Sequence, residues 1–420
     1  MDNKKKLLLI TSGFPFGDTE RGFISTEFEY LQNKFDLYIL SVGSKEEIIH
    51  PFPKNIPVEK YFHRNYSRSF STVCTLIKNA VRPITIKELF NSLKLTDPIK
   101  TLKRIKQILF YVTKAEVASK HIDQLLRTED IGLVYTYWCT EMTLATALLK
   151  NKYNDLKIVT RFHGHDLYTE RREEDWQPFR RYISDKADKL VFASEYGLEY
   201  YKARWLNTNH DKATLCYLGC KDSTRIPFIK KNKTNIVSCS NLIKLKRVDM
   251  IIDALSLLPQ DHLIRWDHFG DGEEMASLKK QASIKLGGNI EYHFHGRVPN
   301  NTIAENYQQI TPDLFITTTS SEGGSPVSIQ EAYSMGIPAI GTKTGGVPDI
   351  ITDQVNGFLV DVNSDAEYIA NTIEKFIKLP SDTRITLSNN AYILWQQKFD
   401  AEKNAKQFTE MLFNLERLDK

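Results

Sequence analysis

At 420 residues the chain exceeds the size at which a single hydrophobic core keeps growing, so two packed domains are expected. Apolar residues at 41% and aromatic residues at 11% exclude a disordered chain, and a net charge of +4 is too small to suggest a nucleic-acid partner. Five scattered cysteines (Cys74, Cys139, Cys216, Cys220, Cys239) form no CxxC pair or Cys/His cluster, so reduced structural thiols and no metal site are expected.

The chain opens on Lys4, Lys5 and Lys6, but the apolar run Leu7 to Ile10 stops at Thr11 and Ser12, too short for a signal segment. No apolar stretch approaches the roughly 20 residues of a membrane span. A cytoplasmic protein is expected. Apolar runs then recur with helix-length segments between them: Leu7 to Ile10, Leu37 to Val42, Leu133 to Tyr137, Ile158 to Phe162 and Leu190 to Ala193. Such alternation predicts a parallel sheet covered on both faces. From Lys60 to Lys106 eleven basic residues (Lys60, Arg64, Arg68, Lys78, Arg82, Lys87, Lys94, Lys100, Lys103, Arg104, Lys106) outnumber two acids, Glu88 and Asp97. This reads either as a solvated face or as contact with an anionic leaflet at the inner face of the membrane, worth about 1 kcal/mol per basic residue.

The aperiodic, charged segment Lys221 to Lys233 is the linker candidate. It divides residues 1–220 from 221–399. A second series follows at Ile236 to Cys239, Leu263 to Phe269, Ile290 to Phe294, Leu314 to Thr318, Ala339 to Gly341 and Phe358 to Val360, predicting a second α/β domain. Helical spacing is clearest at Ile105, Ile108, Leu109 and Val112, and at Phe408, Met411, Leu412 and Leu415. No strand leads into G-x-G-x-x-G or G-x-x-x-x-G-K-[ST], so neither dinucleotide nor P-loop chemistry is indicated. In open parallel sheets ligands lie beyond the carboxyl ends of the strands, so the loops there carry the candidate site.

One such loop is Ser321-Glu322-Gly323-Gly324-Ser325-Pro326, followed by Val327 to Met335 and Gly336. Ser325 suits a helix N-cap, Pro326 the first helical position and Gly336 a stop. The free N–H groups of a helix start favour a diphosphate, and Gly323 and Gly324 allow close approach. Glu322 and Glu331 are then placed to accept sugar hydroxyls, although they read equally as a capping and a surface residue.

The stretch SEGGSPVSIQEAYSMGIPAIGTKTGGVPDIITDQVNGFLV resembles the E-x7-E signature of retaining GT-B glycosyltransferases of family four, the glycosyl transferases group 1. That resemblance implies two Rossmann-like, doubly wound parallel-sheet lobes with a cleft between them, and a final helix, within residues 400–420, crossing back to the first lobe. It places Glu322 near donor-sugar hydroxyls and Glu331 near the ribose. Here eight residues, not seven, separate the pair. Ser240 to Asp249 looks like the family's G-R-L-x-x-x-K-G-x-D stretch: Lys246 matches the lysine that neutralises the departing diphosphate, Asn241 replaces the usual arginine, and Arg247 is the expected compensation. Gly270, Gly272, Gly345 and Gly346 resemble family turns at the donor, although for Gly270 and Gly272 a plain tight turn is equally consistent. His163-Gly164-His165-Asp166 resembles the H-G-x-D loop, giving His163 a site role with Asp166 either orienting it or capping the next segment. Gly17 and Gly22 are carried over from the loop after the first run.

The implied activity is retaining transfer of a hexosyl or N-acetylhexosaminyl group from a nucleotide-diphosphate sugar to a glycan or lipid-linked acceptor in surface polysaccharide synthesis. No metal or other cofactor is expected. Two other readings stand beside it: a nucleotide-sugar epimerase on the same architecture, and a binding protein without catalysis, suggested by Asn241 and the lengthened spacing.

Overall fold

The computed structural model describes residues 4–17, 20–49, 51–62, 70–93, 96–206 and 210–415, with the side chains of 70–74 and 210 left aside. Arg64, Arg68 and Lys94 of the basic run, and 416–420 of the final helical segment, lie outside the described residues. The chain divides into two compact units, 1–216 with 405–420, and 217–404.

The first unit carries β1 (Lys5–Thr11), β2 (Phe35–Val42), β3 (Val58–Tyr61), β4 (Leu133–Thr136), β5 (Lys157–Phe162), β6 (Lys189–Phe192) and β7 (Ala213–Leu215) in the order β3-β2-β1-β4-β5-β6-β7. Every neighbouring pair is parallel. The central strands are apolar runs because both their faces are covered: Leu7, Leu8, Leu9 and all of β4 are fully buried. On one face lies the helix Pro98–Thr128, whose Ile108, Val112, Ala115 and Ile122 pack in the core with Leu8, Val134 and Ile158. β3 and β7 were not expected from the sequence. They are half-exposed edge strands, and an edge does not need a continuous apolar run.

The second unit repeats the plan with β8 (Lys233–Cys239), β9 (Leu263–Phe269), β10 (Ile290–Phe294), β11 (Leu314–Thr317), β12 (Ala339–Thr342) and β13 (Gly357–Val360), ordered β10-β9-β8-β11-β12-β13 and parallel throughout. All six expected runs are strands. In each sheet the order reverses direction at one pair, β1 with β4 and β8 with β11, and ligands of doubly wound sheets bind at such switch points.

The units part after Cys216 rather than after 220. Tyr217 packs its ring on Phe399 at 4.7 Å, and Cys220 exchanges backbone hydrogen bonds with Phe399 and Ala401, all within the second unit. The expected linker is likewise part of this unit: Ile226 is buried and donates its N–H to the Met335 carbonyl. The final helix, Ala401–Leu415, packs from Ala405 onward in the first unit, with Phe408 5.0 Å from Tyr135. Among the described residues no helix is long and apolar enough to cross a membrane.

Candidate functional site

The second unit assembles its site where β8 and β11 separate. After β8 the chain crosses to a single turn, Lys244–Lys246, and Arg247 adopts a left-handed backbone (φ 49°) before the helix Val248–Ser256. After β11 the loop is stitched to that turn: Ser320 N–H donates to the Leu245 carbonyl (2.9 Å) and the Thr318 hydroxyl to the Arg247 carbonyl (2.6 Å). Two segments over 70 residues apart in sequence thereby become one surface.

On it the Lys246 ammonium pairs with the Glu322 carboxylate, both side chains partly buried. The helix Val327–Ser334 begins beside this pair, and its first N–H groups, those of Val327 and Ser328, have no acceptor within the helix. The helix starts one residue later than expected. Pro326, extended at ψ 123°, is itself the cap residue, so Ser325 does not cap; its buried hydroxyl is left without a partner. Gly336 closes the helix at φ 73° as expected.

Glycines fix this geometry by admitting backbone where a Cβ could not fit. A Cβ on Gly345 would stand 1.9 Å from the Glu322 carbonyl, and one on Gly346 2.5 Å from Gly324, so the loop after β12 braces the residues Glu322 to Ser325. Gly270 and Gly272 do the same for the loop after β8: a Cβ would lie 1.9 Å from the Ser240 carbonyl and 2.3 Å from that of Leu242. These four glycines support the site loops from behind. Gly323 is buried and Gly324 partly so.

Glu331 lies on the helix, partly buried, and accepts from Asn300 Nδ2 at 2.8 Å. Burial pushes its carboxyl up to about 7, opposed by the Asn300 hydrogen bond. Around it stand Tyr307, whose buried hydroxyl has no partner, and Cys239, a thiol held up at about 12 by burial and the Glu331 charge. Asn300 and Tyr307 escaped the sequence reading, because neither belongs to the quoted motifs; only their place on the segment after β10 gives them away. Asn241 is exposed, and Arg247 donates Nη1 to the Val362 carbonyl beyond β13, so its guanidinium is anchored to backbone.

In the first unit His163 follows β5 with both ring nitrogens buried and without partners. Its ring lies 4.0 Å from Trp138 and 5.0 Å from Tyr137, and burial, with Arg161 nearby, holds its pKa well below the usual histidine value. The imidazole is neutral. Asp166 does not orient that ring; its carboxylate accepts the backbone N–H groups of His163 and Cys139, both at 2.8 Å, and so shapes the loop. Gly17 has φ 68°, with Glu46 where a Cβ would be, whereas Gly22 sits inside the helix Arg21–Lys34 with nothing within 4 Å. Gly22 therefore meets no steric demand. The residue that sequence reasoning missed in this loop is Glu20, whose carboxylate accepts from the N–H groups of Gly13 (2.7 Å) and Phe14 (2.8 Å) and from Trp138 Nε1.

Two parallel-sheet lobes of this strand order define the GT-B fold, and solved structures agree. The lipopolysaccharide outer core galactosyltransferase WaaB superposes with a TM-score of 0.68 at 15% identity over 97% of this chain and 99% of its own. Anabaena HepE in complex with UDP gives 0.64 at 18% identity over 98% and 100%. Residues 221–393, most of the second unit, match the family model of glycosyl transferases group 1. Among characterised relatives, the N-acetyl-alpha-D-glucosaminyl L-malate synthase of Bacillus anthracis is 22% identical over 317 residues, spanning 72% of this chain and 80% of that one.

Proposed function

We propose that the protein transfers a glycosyl group, with retention, from a nucleotide-diphosphate sugar to a glycan or lipid-linked hydroxyl at the cytoplasmic side of a membrane, in surface polysaccharide synthesis. The observation that carries this is the Lys246–Glu322 pair at the open start of the helix Val327–Ser334. A diphosphate placed there meets the ammonium and the first N–H groups of the helix, so both oppose the negative charge that grows as the nucleotide departs. Glu322 is then released to the sugar hydroxyls. Glu331, with a carboxyl near neutrality and Asn300 on one oxygen, takes the paired hydroxyls of the ribose. The neutral His163 ring offers one donor and one acceptor to a sugar hydroxyl on the acceptor-bearing lobe. The acceptor enters on the face the nucleotide leaves, and the leaving phosphate takes its proton. Positive charge from protein groups serves in place of a metal in this reading, so turnover is expected to persist in excess chelator.

Membrane contact is supported by the helices Phe70–Ala80, Pro83–Ser92 and Pro98–Thr128. Ile77, Val81, Phe90, Ile99 and Leu102 are each more than 60% exposed there. The basic run is less free than its count suggested: Arg104 is buried, Arg82 pairs with Glu116 and Lys103 with Glu173. Lys78 and Lys87 are exposed and, like Lys106, carry no ion pair with a described residue, and with the exposed apolar side chains they suit an anionic interface.

The test is a thermal-shift screen of nucleoside diphosphates and their sugars, followed by nuclear magnetic resonance of the product's anomeric centre. Binding without transfer to any acceptor extract, an isomerised nucleotide sugar, or an inverted product would each overturn part of the reading. Flotation with anionic vesicles tests the membrane part, where salt-insensitive absence of binding is the contrary result.

A further inference from the structure

The first unit contains a cavity of 390 Å³, within the range of small-molecule sites. It lies among the helix Pro83–Ser92, the start of Pro98–Thr128, the segment from Thr169 to Arg181 and the end of Glu195–Trp205. Its walls combine arginines with the indoles of Trp176 and Trp205.

The charges do not cancel. Arg104 is spent on backbone, donating to the carbonyls of Ser92, Glu174 and Asp175 at 2.8 to 3.0 Å, with the Asp175 carboxylate 3.7 Å away. Glu88 is also occupied, accepting from Phe179 N–H at 2.8 Å and Trp176 Nε1 at 3.0 Å. The Glu88 charge lies near Arg180 and Arg181, yet the four arginines of the lining (Arg104, Arg180, Arg181, Arg204) outnumber its two acids, and Arg181 and Arg204 are exposed and form no ion pair with a described residue. Arg204 is held flat over the Tyr200 ring at 3.7 Å, which leaves its N–H edge available. Arg180, 1% exposed, gives Nη2 to the Cys139 and Asp166 carbonyls and Nη1 to the Pro178 carbonyl but keeps an Nε–H without a partner. A guanidinium stacked on Tyr200, a second exposed one and a third buried N–H call for an anion of more than one charge.

We propose that this cavity receives the phosphate or diphosphate group of the acceptor, with the two indoles against whatever apolar or sugar portion adjoins it. The acceptor role rests on the transfer reaction proposed above. The phosphate chemistry itself does not. The wall residue Asn91 follows Phe90, and the helix carrying Arg104 begins with the exposed Ile99 and Leu102, so the cavity lies on elements that also present the apolar and basic surface. A lipid-borne phosphate and a soluble sugar phosphate share the recognition chemistry, and the experiment separates them.

Pyrophosphate is titrated calorimetrically into the Lys246→Ala protein, which lacks the donor-site cation, and into the same protein carrying Arg181→Gln and Arg204→Gln. Both added substitutions are at exposed positions and should leave the unfolding temperature unchanged. The expected result is a loss of about tenfold or more in pyrophosphate affinity on removing the arginines. Flotation then compares phosphatidylcholine vesicles containing about 10 mol% polyprenyl phosphate with vesicles of equal charge made with phosphatidylglycerol. Arginine-dependent preference for the former identifies a lipid source, and equal flotation with pyrophosphate binding retained identifies a soluble one. Equal affinity of the two proteins for pyrophosphate, or no binding by either, would overturn the proposal. Arginine-dependent binding in a protein that no nucleoside diphosphate stabilises would leave the cavity standing and remove the donor reading instead.

Discussion

Glu331→Gln separates stability from function at one residue. The Glu331 carboxyl moves from an ordinary value of 4.5 to about 7 because burial disfavours its charge more than the Asn300 hydrogen bond favours it. A carboxyl raised in the folded state binds protons that the unfolded chain has released, so folding loses free energy as pH climbs from 4.5 to about 7, and the loss is complete above. At 1.36 kcal/mol per pH unit the displacement corresponds to about 3 kcal/mol, an upper figure because the side chain is only partly buried. Glutamine keeps the oxygen that accepts from Asn300 and removes the titration. Near pH 4 the variant should match the wild type within roughly 0.5 kcal/mol, and near pH 8 it should be the more stable by about 2–3 kcal/mol. For a unit of this size that is about 2–4 °C in unfolding midpoint per kcal/mol. The assay is thermal unfolding of both proteins across this pH range. Parallel curves would refute the reasoning. The same variant should bind the nucleotide-sugar about tenfold more weakly, because a neutral amide accepts hydroxyl donors less strongly than a carboxylate. A gain in stability coupled to a loss in binding is what a buried charge kept for a ligand must show.

Four further outcomes follow from the same geometry. Lys246→Ala should lower turnover by about 10²–10³, as expected when a preorganised group at a leaving anion is removed, and chelator added to the wild type should change nothing. Donor binding near pH 7 should release protons from Glu331, seen as a calorimetric enthalpy that varies with the ionisation enthalpy of the buffer; no such variation would remove Glu331 from the nucleotide contact. Gly345→Ala should destabilise the second unit by several kcal/mol and abolish donor binding, since its Cβ would be driven to 1.9 Å from the Glu322 carbonyl at φ 51°. Arg161→Ala should cost about 3–5 kcal/mol, because it strands the buried Glu27 carboxylate and leaves Tyr135 without its Nε–H donor, measurable as a lowered urea midpoint.

The legible part of this fold is the part that burial writes into the sequence. β1, β4 and β11 are covered on both faces, and their apolar runs stand out from the helices around them. β3 and β7 pair along one side only, so selection for burial is weak and their sequences, Val58 to Tyr61 and Ala213 to Leu215, carry no run. The boundary near 216 was similarly invisible: it is set by Tyr217 meeting Phe399 and Cys220 meeting Ala401, contacts across some 180 residues that local polarity does not encode.

For the site, motif spacing locates backbone and says little about where side chains finish. Lys246 and Glu322 could each be named from their own segments, yet that they meet depends on Thr318 and Ser320 tying one loop to the other. Arg247 illustrates the converse. Its place next to Lys246 suggested a second cation for the diphosphate, but a left-handed backbone at φ 49° turns the side chain toward Val362. In the proposed reading Arg247 does not stand in for the usual arginine at Asn241, and the charge at the leaving group is assigned to Lys246 and the helix start. If that is so, Lys246→Arg should retain most donor binding but not most turnover, since a planar guanidinium keeps the charge while moving it off the point where an ammonium sits. Equal losses in binding and turnover would mean that Lys246 grips the diphosphate without favouring its departure, and another group would have to be sought for that step.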